Sequence, residues 1–226
     1  MSVQAEKKIS AIILCAGRGS RMGGQLKALL PLAHDLGSPN PHTFLDEIVS
    51  RLSDIPFEEI LIVTGFESHR VRDHLALREP HPKIKLTNNS LYVTGMFRSI
   101  KSGIKGLSKN TDAVMIILVD QPFIAKQTYE KVYQSYISGN DKSLWKTYFD
   151  QQPGHPVIIG SDYFQQILNY LPNAAEREQG CQFLFRQNKN QVAEVHVDDP
   201  MTILDFDTES DLSTKLAKSL SASRLS

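Results

Sequence analysis

The sequence is poor in cysteine, and this scarcity excludes a framework of several disulfides. Cys15 and Cys181 are the only cysteines, and neither has a second cysteine or a histidine beside it at metal-ligand spacing. Disulfides are rare in reducing compartments, so this composition fits such a compartment best. Cys15 also lies within an apolar run, which favours a small buried side chain over a reactive thiol.

The sequence also lacks a long hydrophobic run and an excess of either charge. No apolar stretch approaches the roughly 20 residues that a membrane-spanning helix needs, and residues 1–10 are too polar for the apolar region of a signal peptide. Lys and Arg together number 25, as do Asp and Glu, and no basic arm separates the two signs. There is then no electrostatic reason to expect nucleic-acid binding. We expect a cytoplasmic protein that binds neither membranes nor nucleic acid.

The chain alternates apolar runs with segments of helical periodicity. Three runs rich in β-branched residues are predicted to be buried parallel strands: residues 9–15, 59–64 and 113–119. Helices are predicted where apolar residues recur at helical spacing: residues 43–52, 94–107 and 126–138. Two further strands are predicted at residues 156–159 and 192–197. This order predicts an α/β fold with a mostly parallel sheet.

Segments rich in proline, glycine or serine predict a loop and a tail in the rest of the chain. Residues 31–41 hold three prolines and a glycine, which predicts a surface loop. After Asp211 the sequence turns to Ser, Lys, Ala and Leu, which indicates a last helix that frays into a tail. We expect a single domain over residues 1–212, followed by a frayed or disordered segment at 213–226.

A glycine-rich loop follows the first predicted strand directly. Residues 16–27 contain four glycines and the cations Arg18, Arg21 and Lys27. Glycines let backbone N–H groups turn toward an anion without a Cβ in the way, and cations supply the charge that a triphosphate or pyrophosphate needs. The loop is therefore predicted to bind phosphate groups.

Two other kinds of phosphate loop fit the spacing poorly. A P-loop places its lysine directly after the last glycine and then Ser or Thr, whereas two residues separate Gly24 from Lys27 and an alanine follows. In a dinucleotide-binding loop the third glycine would come one place before Gly23, and an acidic residue would end the second strand, where Thr64 stands. Both alternatives are disfavoured.

Residues 14–27, LCAGRGSRMGGQLK, resemble the first loop of the nucleotidyltransferases that attach a nucleotide to molybdopterin. Four further stretches resemble that family in the same order: 89–100 (NSLYVTGMFRSI), 119–122 (VDQP), 153–157 (PGHPV) and 204–211 (LDFDTESD). The resemblance covers most of the chain from Ile9 to Asp211. It implies a three-layer, Rossmann-like nucleotidyltransferase fold.

The resemblance also implies site residues. Nucleotide contacts are expected from Leu14, Cys15, Ala16, Gly17, Arg18, Gly19, Ser20, Arg21, Lys27, Thr64, Asn89, Gly95 and Ser99. Catalytic roles are expected for Arg18, Arg21, Lys27 and Asp120. Asp120 and Asp207 are expected to bind Mg²⁺, an ion that prefers oxygen ligands, and the role of Asp205 is left open. Gly154 and His155 are expected on the acceptor side.

The implied reaction transfers a nucleoside monophosphate from a nucleoside triphosphate to a phosphate acceptor and releases pyrophosphate. In this family Ala16 at the third place of the loop and Gln121 after Asp120 favour CTP over GTP, with molybdopterin as the acceptor. The alternatives are transfer to a sugar phosphate or another phosphorylated alcohol, a non-catalytic nucleotide-binding regulator, and a nicotinamide-dependent oxidoreductase. Cys15, the extra length at residues 35–40 and Ser210 depart from the family pattern.

Overall fold

The structure, a computed structural model, describes residues 7–19, 24–32, 38–139 and 142–206. The strands are β1 (Ile9–Cys15), β2 (Ile60–Thr64), β3 (Ile84–Asn88), β4 (Ala113–Leu118), β5 (Leu144–Phe149), β6 (Gln152–Gly160) and β7 (Val192–His196). The helices are α1 (Phe44–Leu52), α2 (Ser68–Ala76), α3 (Met96–Gly106), α4 (Lys126–Ser138), α5 (Phe164–Asn169), α6 (Ala174–Glu178) and α7 (Gln182–Gln187).

The seven strands form one sheet in the order β3-β2-β1-β4-β6-β5-β7. β6 runs antiparallel to its neighbours β4 and β5, and the other pairs are parallel. All residues of β1, β2 and β4 are buried, which explains their unbroken hydrophobic runs. The predicted mostly parallel sheet is confirmed. Because β1 lies between β2 and β4, the loops that follow these strands meet at one edge.

Helices cover both faces of this sheet, as the three-layer prediction requires. Side chains alternate along a strand, so Ile12 and Ile13 of β1 point to opposite faces. Ile13 belongs to a core with Phe44 of α1 and Tyr129 of α4. Ile12 belongs to a second core with Phe97 of α3 and with residues of α5 and α7. The sheet is therefore buried on both sides.

The structure moves the start of one predicted helix. Residues 94–107 are predicted to be helical, but α3 begins at Met96 and Gly95 is its N-cap. Gly95 has φ 103°, which side chains with a Cβ rarely adopt, and Thr94 instead ends a short 3-10 turn and donates to Leu91 O at 2.7 Å. The helix therefore starts where the glycine turns the chain.

Several elements had no strong sequence pattern. The edge strand β3 is half exposed and lacks a continuous apolar run, and α5, α6 and α7 are too short for clear periodicity. β6 is longer than the strand predicted at residues 156–159. Its first half extends over the edge of the sheet, and the polar sequence of that half does not predict a strand. β3 forms one edge of the sheet, and β7 forms the other.

The predicted loop at residues 31–41 is tied down at both ends. Leu32 N donates to His42 O at 2.9 Å, and Arg78 Nη2 of α2 donates to Pro41 O at 2.6 Å. Residues 33–37 lie outside the described residues, as do 207–226, which include the predicted tail. Along the described part of the chain, no helix combines the length and the apolar character needed to cross a membrane.

Candidate active site

A cavity of about 470 Å³ opens at the carboxyl ends of β1 and β4. One wall is the backbone of residues 14–19 with Lys27 and Asp120, and the facing wall is formed by residues 92–99 and Glu178. We call it the first cavity. Ligands of open α/β sheets bind at this edge, so the fold places the glycine-rich loop where a ligand is expected.

The glycine-rich loop folds back on itself. Gly24 N donates to Gly19 O at 3.0 Å, and Gly19 forms an isolated antiparallel bridge with Gln25. A Cβ at Gly19 would lie 2.4 Å from Gln25 O, so only glycine fits this crossing. A Cβ at Gly17, by contrast, would meet open space. Ser20 and Arg21, predicted to bind the nucleotide, lie outside the described residues.

The residues after β2 support this loop from the side. Phe66 N donates to Ala16 O at 3.0 Å, and a Cβ at Gly65 would lie 2.7 Å from that same oxygen. The guanidinium carbon of Arg18 lies 5.4 Å from the centroid of the Phe66 ring. A cation over an aromatic face gains about 0.5–1 kcal/mol at an exposed site. This contact directs Arg18 along the edge of the first cavity.

Lys27 and Asp120 form an ion pair inside the first cavity. Lys27 Nζ lies 2.9 Å from Asp120 Oδ2, with side chains 17% and 24% exposed. These residues are far apart in sequence and meet because the loop after β1 returns beside the carboxyl end of the neighbouring β4. A half-buried pair is screened less by water than a surface pair. The sequence predicted both residues for the site, and the structure brings them together.

The segment before Asp207 also runs beside Asp120. Phe206 N donates to Asp120 O at 2.8 Å, and the buried Phe206 ring packs edge-on against Phe123 with centroids 4.9 Å apart. Asp207, the second predicted metal ligand, lies outside the described residues. Among the residues that are described, no group of three His, Cys, Asp or Glu side chains is arranged to hold a metal.

Cys15 lies in the floor of the first cavity with a neutral thiol. Burial raises its pKa far above the usual range, and the nearby charge of Asp120 acts in the same direction. The side chain is only 2% exposed. A thiolate nucleophile is therefore not available at neutral pH, which agrees with the expectation of an unreactive cysteine.

The predicted nucleotide contacts divide into two groups. Gly95 and Ser99 line the first cavity, whereas Thr64 and Asn89 are not among the described residues that line it. Asn89 is 3% exposed and its Nδ2 donates to Ser99 Oγ at 3.1 Å, and Thr64 Oγ1 donates to Thr87 O at 3.2 Å. Asn89 therefore positions the Ser99 hydroxyl from outside the first cavity.

A second cavity of about 330 Å³ adjoins the first, and we call it the second chamber. The two spaces share Met96, Leu118 and Glu178 in their walls. The predicted acceptor residues Gly154 and His155 line the second chamber. Two ligands bound side by side would thus meet near Glu178 and the end of β4.

His155 is neutral at physiological pH. Burial lowers the pKa of its imidazole to about 4, although the charge of Asp120 and a hydrogen bond with the Ile116 backbone act against this. Its Nδ1 is buried and has no hydrogen-bond partner among the described residues. The peptide bond from His155 to Pro156 is cis. The imidazole therefore offers hydrogen bonds to a ligand and no positive charge.

Sequence reasoning missed several lining residues. Glu178 and Lys146 line these cavities from the short helix α6 and from β5, and neither belongs to a motif. Gln121 was noted for its place after Asp120, but its side chain lines the second chamber and not the first cavity. Only the packing of α6 and the pairing of β5 within the sheet bring these side chains to the site.

Comparisons with known proteins agree with this architecture. The chain matches the model of the "MobA-like NTP transferase domain" over residues 11–192. It is 24% identical over 177 residues to the bifunctional protein GlmU of Desulfotalea psychrophila, a match that covers 78% of this chain but only 48% of that protein. The chain thus spans about half the length of that relative.

Two further relatives are matched over more of their length. The chain is 24% identical to nicotine blue oxidoreductase of Paenarthrobacter nicotinovorans, over 88% of this chain and 92% of that protein. It is 26% identical to a probable molybdenum cofactor guanylyltransferase of Methanosarcina mazei, over 74% of this chain and 69% of that protein.

Solved structures share the fold at low identity. Rv0371c of Mycobacterium tuberculosis superposes with a TM-score of 0.74 at 20% identity, covering 95% of this chain and all of that one. The manganese complex of Rv0371c gives 0.69 at 18% identity, covering 93% and 99% of the two chains. A nucleotidyl transferase from Methanothermobacter gives 0.73 at 18% identity, covering 95% and 99%. These similarities show the fold, and the match over residues 11–192 shows that the chain belongs to the MobA-like NTP transferase domain family.

Proposed function

We propose that this protein transfers a nucleoside monophosphate from a nucleoside triphosphate, CTP in preference to GTP, to the phosphate of molybdopterin, with release of pyrophosphate. The observation that carries the proposal is the Lys27–Asp120 pair, which faces the glycine-rich loop and lies beside the second chamber. This pair supports the proposal, because a cation suited to a triphosphate and a carboxylate suited to a metal share one cavity that adjoins a second one.

The chain's own residues supply positioning and charge in this reaction. Loop N–H groups with Arg18, Arg21 and Lys27 would hold the triphosphate and stabilise negative charge as it develops. An oxygen of the acceptor phosphate forms a bond to the α-phosphorus while the bond from that phosphorus to the bridging oxygen of pyrophosphate breaks. A phosphate nucleophile is already ionised, so the reaction requires no general base. The neutral imidazole of His155 is suited to orienting the acceptor.

Nucleotidyltransferases of this type generally use a divalent metal, and the chemistry of Asp120 fits Mg²⁺. This ion is held in proteins by one or two carboxylates together with substrate phosphates and water, so it does not require a preformed cage. Asp120 would be one ligand and Asp207 the second. The bound ion would neutralise charge on the phosphates. The manganese complex of Rv0371c supports a divalent metal in this fold.

The preference for CTP rests on Ala16. Its side chain is 2% exposed in the wall of the first cavity, and its carbonyl accepts from Phe66 N, so any larger side chain there would alter the nucleotide pocket. Gln121, the other residue that favours CTP in the resemblance, lines the second chamber. Its effect on nucleotide choice would therefore be indirect.

The test is a thermal-shift panel of the four ribonucleoside triphosphates with and without Mg²⁺, followed by an assay of pyrophosphate release with molybdopterin. A ligand at 100 times its Kd adds about 2.7 kcal/mol of stability. We expect the largest shift with CTP and Mg²⁺. The variant Asp120→Asn should lose the Mg²⁺-dependent part of this shift, whereas Lys131→Met on the exposed face of α4 should keep it. No shift with any triphosphate would overturn the proposal.

A second candidate function is a nicotinamide-dependent reduction. The similarity to nicotine blue oxidoreductase over most of both chains favours it. A dinucleotide also carries a pyrophosphate that the glycine-rich loop suits. The same thermal-shift panel with NADH and NADPH separates the two candidates. Stabilisation by a nicotinamide dinucleotide and by no triphosphate would replace the first proposal with the second.

A further inference from the structure

Lys146 is an unexpected cation in the second chamber. It lies in β5 and is the only lysine or arginine among the described residues that line this space. Its ammonium lies 5.6 Å from the centroid of Phe185 and 5.9 Å from that of Tyr148. No carboxylate of the described chain lies within 4.0 Å of it, and Glu194, its partner on β7, is instead paired with His196 at 3.3 Å.

The surroundings of the Lys146 ammonium favour the binding of an anion. Burial lowers the pKa of Lys146, with Arg186 acting in the same direction and Glu194 against it. A half-buried charge with no carboxylate of the described chain within 4.0 Å costs free energy that a bound anion would offset. The sheet contributes the apolar side chains of Ile116, Val157 and Ile159 to the chamber wall, and there the lower local dielectric strengthens the attraction; the carboxylates of Glu178 and Asp205 also line the chamber.

Gln121 gives independent evidence that this chamber holds a ligand. It is 3% exposed, and its Nε2 donates to Asp205 Oδ1 at 2.9 Å, which fixes the amide because an ionised carboxylate only accepts. Its Oε1 is then buried without a hydrogen-bond partner in the described chain. Leaving such an acceptor unsatisfied costs about 1–3 kcal/mol. A ligand with an N–H or O–H donor would satisfy it.

Lys146 lies well away from the end of β4 where the reacting phosphate is expected. It pairs with Val157, and Val157 pairs with Ile116, which precedes Asp120 by four residues. Two strand spacings span about 10 Å and four residues up to about 13 Å, so the two Cα atoms are on the order of 15 Å apart. His155 lies on β6 two residues before Val157 and lines the same chamber.

We propose that Lys146 binds a second anionic group of the acceptor, distant from its reacting phosphate, while Gln121 Oε1 accepts a hydrogen bond from the acceptor's body. This inference rests on the proposed function for the identity of the second chamber as the acceptor site. The acceptor is then a molecule with a phosphate at one end, a polar body and a further negative charge. Acceptors with one phosphate and no other anion would bind more weakly.

The distance between the reacting phosphate and the second anion is tested with a series of α,ω-alkanediol bisphosphates with three to eight carbons. The matching alkyl monophosphates serve as references. Binding is measured by calorimetry to the full chain saturated with a non-hydrolysable CTP analogue and Mg²⁺. For the wild type, one chain length should bind at least 10-fold more tightly than its monophosphate. The variant Lys146→Met should lose this gain, and Lys146→Arg should retain it. Lys131→Met is the control cation and should behave as the wild type.

Three outcomes would overturn the inference. The first is the absence of any length-dependent gain in the wild type, and the second is a gain that persists in Lys146→Met. The third is an equal loss of monophosphate and bisphosphate binding in Lys146→Met, which would mean that Lys146 holds the reacting phosphate. If the proposed function itself were wrong, the CTP analogue would not bind, and this result is distinct from the three above. Unfolding midpoints of each variant confirm that the comparison is made on folded protein.

Discussion

At the scale of single residues, the contact between Lys27 and Asp120 defines the site. The two side chains lie 2.9 Å apart and half buried, at the point where the glycine-rich loop meets the end of β4. In the free protein each neutralises the other. Under the proposed function, a bound triphosphate would offer the lysine phosphate oxygens as alternative partners, and the carboxylate would then be available to hold a metal. The pair thus keeps two opposite charges ready in a cavity that would otherwise hold an unpaired one.

We predict that Lys27→Met lowers kcat by a factor on the order of 100 or more, because one preorganised charge contact contributes about 3 kcal/mol to the chemical step. The loss should fall on kcat more than on the KM for the triphosphate, since the charge develops in the transition state. Steady-state kinetics of pyrophosphate release checks this. Lys131→Met is the matched control, and a Lys27→Met enzyme of near-normal kcat would contradict the assigned role.

His155 makes a prediction about acid stability. Its pKa in the folded chain, about 4, lies below the ordinary value of about 6.5, so folding favours the neutral form. The contribution of the neutral imidazole to the free energy of unfolding is therefore fully present above pH 6.5. As the pH falls toward 4, this free energy decreases by roughly 2–3 kcal/mol. Urea unfolding at pH 7, 5.5 and 4 should show a smaller loss in His155→Gln than in the wild type. Equal losses would contradict a buried neutral imidazole.

At the scale of elements, two glycines beside the first cavity have different structural roles. Gly95 has φ 103°, and a Cβ there would lie 2.7 Å from Arg177 O of α6. Gly17 leaves its Cβ position open. The first glycine lets α3 begin and lets α6 approach it closely, and the second keeps the loop backbone accessible from the cavity.

We predict that Gly95→Ala lowers the free energy of unfolding by about 2 kcal/mol or more, because it adds both a backbone penalty and a clash. Gly17→Ala should change that free energy by less than about 1 kcal/mol but weaken triphosphate binding, since its methyl group would stand in the cavity. Urea unfolding and thermal shifts with CTP measure the two effects. A stable Gly95→Ala protein would contradict the described turn.

The junction of α1 and α2 is held by a buried ion-pair network. Asp46 forms a capping box with Thr43, and its carboxylate also contacts His74 Nε2 at 2.9 Å and Arg78 Nη2 at 2.7 Å. These hydrogen bonds hold the pKa of Asp46 far below its usual range although burial acts against them. Through Arg78 the network also fixes the end of the 31–41 loop at Pro41.

We predict that Asp46→Ala destabilises the protein by about 3 kcal/mol or more, because it leaves His74 and Arg78 without their carboxylate and removes the carboxylate half of the capping box. Asp54 is the matched control, since its side chain is 74% exposed and pairs with Lys126 at the surface. Asp54→Ala should leave the free energy of unfolding close to that of the wild type, because exposed ion pairs contribute little. Chemical denaturation compares the two, and similar losses would show that the buried network adds no stability.

At the scale of the whole molecule, the sheet order explains why there are two adjoining cavities. The first cavity lies at the carboxyl ends of β1 and β4, and the second lies over the antiparallel β6 and its neighbour β5. Because β6 runs opposite to β4, its amino-terminal half reaches past the same sheet edge. This brings Gly154 and His155 beside the end of β4, and α6 and α7 cover the space from above.

The sequence by itself determined the central part of the fold. Short apolar runs rich in β-branched residues favour buried strands, and a loop directly after a parallel strand lies at the sheet edge, so β1, β2, β4 and the placement of Lys27 and Asp120 were predictable. The short or half-exposed elements β3, β5, α5, α6 and α7 were not, because burial of their few apolar residues depends on partners distant in sequence.

Only the tertiary structure decided which predicted residues face a ligand. Thr64 and Asn89 sit behind the first cavity because their side chains satisfy buried backbone and hydroxyl groups. Lys146 and Glu178 enter the cavities without belonging to any motif, since strand pairing and helix packing alone bring them there. Local pattern fixes which residue types can bind phosphate, whereas long-range packing fixes which of them share one cavity.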